Sequence, residues 1–306
     1  MFSIITPLHN NASTLLDTFN SLKNQYYENW EWIIIDDYSE DGSLACVRDL
    51  KRSDKRISIY QNRGRNGACA CRNIGIEKSK GSYLIFLDPD DMLRENSLSE
   101  RMKLLKKNNA LQMLISKTAF FISNNPDNVI RIVGAIKSTY EEMISAFISH
   151  DILWTGTSVS WKKDFLENIG GWNVEYPRLQ DVELNIRALL QKPVIIDCDL
   201  VDLLYRCDNF PHQKMVKAIT GFNLLLRDYY FQLCNDEIED NTMTLYQEAF
   251  NKLTIIIIHY INATNHSTIN SDKKYFIETL LTICDDIKDV KLIAKMINFD
   301  FDKNIK

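Results

Sequence analysis

The stretch Tyr83-Leu84-Ile85-Phe86-Leu87-Asp88-Pro89-Asp90-Asp91 fixes the expected fold class. Leu84 to Leu87 is an unbroken apolar run, bounded upstream by Lys80-Gly81-Ser82 and downstream by a proline among carboxylates. Such a run suits a strand buried on both faces of a mainly parallel α/β sheet. It puts Asp88, Asp90 and Asp91 just past the strand's carboxyl end, the edge at which open α/β sheets bind ligands. Crowded carboxylates repel one another until a cation joins them, and hard oxygen donors suit Mg²⁺ or Mn²⁺ bridging to a diphosphate. The competing expectation is structural: Asp90 or Asp91 caps a helix beginning near Leu93.

Working outward, strand and helix signals alternate, as in a parallel sheet built from βαβ units. Ser3 to Thr6 reads as the first strand, and Asn10-Asn11 opens a helix carrying Leu15, Leu16, Phe19 and Leu22 at helical spacing. Trp32 to Ile35 is the second strand, followed by a turn rich in capping residues, Asp36 to Ser43, and a helix around Leu44 to Leu50. Ile57 to Tyr60 is the third, followed by the glycine-bearing loop Asn62 to Gly67 and a helix from Ala68 to Lys78. Beyond Asp91 the pattern is mixed: helices over Asn96 to Lys107 and Tyr140 to Ile148, strands over Leu111 to Ile115 and Ile130 to Val133. Ile152 to Trp172 holds Trp154, Trp161 and Trp172, aromatic faces able to stack on sugar rings or to fill a core. From Gln213 the texture changes to amphipathic segments, Phe222 to Leu233, Thr244 to Tyr260 and Lys274 to Ile287, with a short Val290 to Ile297.

A chain of 306 residues with 45% hydrophobic and 25% charged residues is an ordinary globular protein. Its net charge of -5 and lack of a basic stripe argue against a nucleic-acid partner. The seven cysteines are odd in number and lack a framework spacing, so reduced thiols in a cytoplasmic protein are expected. Cys69 and Cys71 do not read as a metal pair, since residues two apart on a helix do not face each other. The amino terminus enters a strand-like run without a charged leader. The apolar stretch around Ile255 to Ile258 falls far short of the roughly 20 residues a bilayer span needs, which leaves peripheral contact at the inner face of the membrane.

Five pieces occur in one order: Ile4 to Asn10, Asp36 to Ser43, Arg72-Asn73-Ile74-Gly75, Leu87 to Asp91, and Gly170-Gly171-Trp172 with Gln180-Asp181. Together they resemble the family 2 inverting glycosyltransferases of the GT-A fold; each is weak alone, and the ordered set is strong. The resemblance implies a GT-A domain over 1–212, its nucleotide-binding part ending near 95, and a helical extension over 213–306 outside the resemblance. It implies that Pro7, His9 and Asn10 lie against a nucleoside, with His9 where the family often has tyrosine. Asp37 matches the carboxylate that accepts the N3–H of a pyrimidine base, while Asp36 beside it equally suits a cap. Arg72 matches a position near the diphosphate. Asp88 and Asp90 match the Asp-x-Asp pair that holds Mn²⁺ or Mg²⁺ on the donor, and Asp91 is a third acid that orients the site or caps the next helix.

Asp181 matches the general base that takes the acceptor hydroxyl proton, with Gln180 where the family has glutamate. Arg206 falls in the tyrosine-arginine stretch after the base, and Asp208 or His212 stands where members often carry a histidine. The implied activity is metal-dependent inverting transfer from a nucleoside-diphosphate sugar, a uridine one, to a glycan or lipid-linked acceptor in surface polysaccharide synthesis. Two other readings compete: a non-catalytic sugar-nucleotide-binding or scaffold protein of the same fold, and a sugar-1-phosphate nucleotidyltransferase. The second expects a glycine- and arginine-rich loop after the first strand, which Thr6 to Asn10 does not offer. Self-association or membrane-surface contact is the expected use of the helical tail.

Overall fold

The computed structural model describes residues 1–122, 125–207, 212–235, 237–264, 270–283 and 287–299. Two compact units emerge: residues 1–137, 152–174 and 187–208 in the first, and 138–151, 175–186 and 209–306 in the second.

The first unit begins with β1 (Phe2–Leu8), α1 (Leu15–Lys23), β2 (Trp30–Asp36), α2 (Ser43–Ser53), β3 (Ile57–Gln61), α3 (Ala68–Lys78) and β4 (Tyr83–Phe86). β1 pairs in parallel with both β2 and β4, and β2 with β3, so the expected parallel sheet is present in this half. Its strands read as continuous apolar runs because both faces are covered. Phe2, Ile4, Trp32 and Ile34 pack with Phe19 and Leu22 of α1 and Val47 of α2. On the opposite face α3 packs against β1 and β2. A Cβ at Gly75 would stand 2.2 Å from Ile5 Cγ2, so only glycine lets α3 approach the sheet this closely.

The other half of the sheet is mixed. It contains β5 (Met92–Leu93), β6 (Met113–Phe121), β7 (Val129–Val133), β8 (Val159–Lys162) and β9 (Ile195–Arg206), with α4 (Ser97–Lys107) between β5 and β6 and α6 (Lys163–Asn168) after β8. The strand order is β3-β2-β1-β4-β8-β6-β9-β5, with β7 on β6. β8 runs antiparallel to β4 and β6, while β9 runs parallel to β6 with irregular register. Two expectations fail here. No helix starts near Leu93, because Met92 and Leu93 pair with Leu204 and Leu203 of β9. The first helix begins at Leu15 rather than at Asn10, which adopts a left-handed φ of 53°.

α4 is fastened to this half by a buried ion pair. Arg101, 0% exposed, donates through Nε and Nη2 to the Asp202 carboxylate of β9 at 2.6 and 2.8 Å. It also donates to Ser160 Oγ of β8 and Ser116 Oγ of β6. Removing one partner leaves the other charge buried and unpaired. Arg101→Met is therefore expected to cost about 3–5 kcal/mol in urea unfolding, and a loss under about 1 kcal/mol would contradict this account.

The second unit contains α5 (Tyr140–Ile148), which opens with a capping box between Thr139 and Glu142. The segment 175–186 carries most of α7 (Gln180–Leu189). α8 (His212–Leu233), α9 (Asp240–Ala263), α10 (Asn270–Ile283) and α11 (Ile287–Met296) follow. α9 packs on α5 and α8, and α10 on α8 and α11. Among the described residues no helix is long and apolar enough to cross a membrane.

Candidate functional site

Because β1 lies between β2 and β4, their carboxyl ends form one edge, and most of the predicted residues sit there. Pro7 is within β1, in register with Ile35. His9 Nδ1 lies 2.7 Å from Asp37 O. Asn10 ties the two loops together: its backbone N–H donates to Ser39 Oγ and its Oδ1 accepts from Glu40 N–H. Asp36 is buried, and its Oδ1 accepts from Ser39 N–H, so its side chain serves the turn.

Asp37, the first residue past β2, is half-buried, and both of its oxygens are engaged. Oδ1 accepts from Asn62 Nδ2 and Oδ2 from Gly67 N–H, each at 2.8 Å. The buried Cys71 thiol is also hydrogen-bonded to Asp37. Burial, reinforced by the Asp37 charge, pushes that thiol up to about 12.

Arg72 of α3 donates through Nη2 to Asp88 Oδ1 at 2.8 Å, and its guanidinium lies 4.4 Å from the centroid of the Trp172 ring. Trp172 is itself set edge-on against Phe86, 4.9 Å between ring centroids. The Asn73 amide brackets the Trp172 backbone, accepting from its N–H and donating to its O, both at 2.8 Å. Arg72-Asn73-Ile74-Gly75 and Gly170-Gly171-Trp172, nearly a hundred positions apart, thus form one assembly that aims Arg72 at Asp88. Trp154, Trp161 and Trp172 are all buried, so of the two roles open to them the core-filling one applies.

Asp91 caps no helix. It is fully buried, its Oδ1 accepts from Arg206 N–H at 3.0 Å, and its Oδ2 has no hydrogen-bond partner among the described residues. Burial, and then the charges of Asp90 and Asp88, hold its carboxyl well above the ordinary range. Arg206 Nε donates to Asp90 O and Nη2 to Asp17 Oδ2, which joins the acidic loop to α1.

Asp88 and Asp90 are hard oxygen donors, and among the described residues no group of three or more His, Cys, Asp or Glu side chains is suited to a metal. That donor set fits a Mg²⁺ or Mn²⁺ ion that takes its other ligands from diphosphate and water rather than from a closed protein cage. A cation here would also offset the Asp90 and Asp88 charges, which add to burial in raising the Asp91 carboxyl.

Asp181 belongs to the second unit, in the first turn of α7, where it is half-buried. That segment is held by Tyr229 OH donating to Glu183 Oε1 and Tyr176 OH donating to Asp228 Oδ2. Gln180 Nε2 donates to Tyr176 O at 3.1 Å, a bond that an ionised glutamate could not make, which gives the amide a reason to stand here. Burial depresses the basicity of His150 in the same unit, and the Asp181 charge opposes that. Asp208 and the side chain of His212 lie outside the described residues. Asn62, Cys71 and Asp17 carry no role legible in the sequence; an asparagine two residues before Gly64 signals a turn and nothing more.

The likeness to solved structures identifies the fold as GT-A. The S. aureus TarS fragment 1–349 in complex with UDP superposes with a TM-score of 0.65 at 16% identity, covering 99% of this chain and 88% of that one. Residues 3–165 match the family model described as glycosyl transferase family 2, and the chain belongs to that family. One relative is the Escherichia coli UDP-Glc:alpha-D-GlcNAc-diphosphoundecaprenol beta-1,3-glucosyltransferase WfgD, 33% identical over 144 residues, 47% of this chain and 55% of that protein. Another is the Erwinia amylovora amylovoran biosynthesis glycosyltransferase AmsB, 28% identical over 198 residues, 61% of this chain and 63% of that protein. The matched stretch spans between 15% and 55% of the length of the first four curated relatives.

Proposed function

We propose that the chain transfers a sugar, with inversion, from a uridine-diphosphate donor to a hydroxyl of a glycan or lipid-linked acceptor in surface polysaccharide synthesis. The observation that carries the reading is the strand edge on which Asp37, held by two donors, and Asp88, paired with Arg72, stand together. A held carboxylate accepts the N3–H of uracil through a charge-assisted bond, and the nearby guanidinium suits a diphosphate. Asp88 and Asp90 would hold Mn²⁺ or Mg²⁺, which when bound offsets the negative charge of the departing diphosphate. Arg72, backed by Trp172, faces that charge as a fixed donor.

Asp181 takes the proton as the acceptor oxygen forms its bond to the anomeric carbon; the bond to the diphosphate breaks and its electron pair leaves with that group. The likeness to WfgD, named for a UDP-Glc donor and a diphosphoundecaprenol acceptor, and to TarS in complex with UDP supports a uridine donor and a lipid-linked acceptor. A cytoplasmic location with peripheral contact at the inner face of the membrane matches this reading.

Calorimetric titration with uridine, cytidine, guanosine and adenosine diphosphates, with and without Mn²⁺, tests the reading. Metal-dependent binding with uridine diphosphate preferred is expected. Absence of metal-dependent binding by any of the four would overturn it and favour the scaffold alternative.

A further inference from the structure

We propose that Asn62 is the positioning residue for Asp37 and that, through it, Asn62 sets which pyrimidine base the site accepts. The proposal rests on the reading of Asp37 as the base-recognising carboxylate. Asn62 follows β3, is 1% exposed, and has both amide hydrogens and its carbonyl oxygen engaged. Nδ2 donates to Asp37 Oδ1 at 2.8 Å and to Arg65 O at 2.9 Å, while Oδ1 accepts from Gly64 N–H at 3.0 Å. A backbone N–H can only donate, so the amide atom facing Gly64 is oxygen and the atom facing Asp37 is nitrogen. The Asn62 backbone N–H in turn donates to Asp36 O at 2.8 Å, which ties the loop to the end of β2.

The consequence falls on the Asp37 carboxylate. The terminal torsion of an aspartate is broad and two-fold, so an unrestrained carboxylate samples many planes. Here Asn62 grips one oxygen and Gly67 N–H the other, which fixes the plane. An ionised carboxylate has about four lone-pair sites, so acceptor capacity remains after these bonds and the Cys71 thiol are counted. Uracil offers N3–H to such an acceptor; cytosine presents a bare N3 lone pair and is repelled. Discrimination of this kind depends on the acceptor being held in place, because a carboxylate free to turn away neither rewards the one nor rejects the other. Asn62 is too buried to touch a nucleotide, so its influence passes through the groups it holds, of which Asp37 is the one that can read a base.

The test is calorimetric titration with uridine and cytidine diphosphates in Mn²⁺, on the wild type, Asp37→Asn, Asn62→Ala, Asn62→Asp and the Asp37→Asn/Asn62→Ala pair. Asn62→Asp is isosteric and keeps the acceptor for Gly64 N–H, so it alters the Asp37 contact with the least disturbance of the loop; melting curves accompany each variant. Both Asn62 variants are expected to weaken uridine diphosphate binding about 10- to 100-fold and cytidine diphosphate binding less than about 3-fold. In the Asp37→Asn background the Asn62 change is expected to alter the uridine-to-cytidine preference less than about 2-fold. Equal weakening toward both nucleotides, or a preference change that persists without Asp37, overturns the proposal and leaves Asn62 a loop-holding role only. A wild type without preference, or an Asp37→Asn variant that retains it, overturns the reading of Asp37 and the proposal with it.

Discussion

Asp181→Asn is expected to lower the rate of uridine diphosphate release from a UDP-sugar about 10²- to 10⁴-fold while leaving nucleotide affinity within about 3-fold of the wild type. Asparagine keeps the size of the side chain and an oxygen able to accept from Val182 N–H, so the start of α7 is preserved. What it loses is the ability to take a proton. The surrounding bonds, Tyr229 to Glu183, Tyr176 to Asp228 and Gln180 to Tyr176, do not involve the Asp181 carboxylate. A rate loss with normal melting and normal binding therefore isolates proton transfer. Release at a rate within about 3-fold of the wild type would remove Asp181 from the role of base.

The parallel half of the fold was legible because its strands are buried on both faces. Ile33 to Ile35 and Leu84 to Phe86 are unbroken apolar runs, and the intervening helices carry apolar residues at helical spacing. β9 was not legible as a strand for the opposite reason. Asp197, Asp199 and Asp202 interrupt its sequence, and the pairing that makes Asp202 tolerable, to Arg101, comes from a residue about a hundred positions earlier. The acidic loop also offered a helix start as its structural alternative, because carboxylates before an apolar pair look like a cap. The two residues Met92 and Leu93 become a strand only when β9 arrives to pair with them.

At the site, the types of residue were legible and their supports were not. Asp37, Arg72 and Asp88 stand out as charges at strand ends and on α3. Nothing local says that Trp172 underlies Arg72 or that Asn62 grips Asp37, since both contacts are made across sequence distance. Gly75 is a similar case: the motif named it, and its need for close packing against Ile5 explains it.

Asp90→Ala is expected to abolish the increment in uridine diphosphate affinity that Mn²⁺ provides, about 10- to 100-fold, or about 1.4 to 2.8 kcal/mol, and to leave binding in chelator unchanged. Asp90 is a cleaner choice than Asp88. Removing the Asp88 carboxylate would also release Arg72, which could then bind the diphosphate more strongly and mask the loss of a metal ligand. The loop's bond from Arg206 Nε goes to the Asp90 backbone oxygen, which alanine retains. Arg206 N–H to Asp91 Oδ1 is retained as well. The charge of Asp90 contributes to the rise of the Asp91 carboxyl, so the substitution relieves repulsion around a buried acid. Melting curves on the same variant separate lost metal binding from lost structure. A variant that melts as the wild type and still gains the full Mn²⁺ increment would show that the cation is held without Asp90. Asp88, diphosphate oxygens and water would then be a sufficient ligand set for Mn²⁺, and the assignment of Asp90 as a ligand would fall.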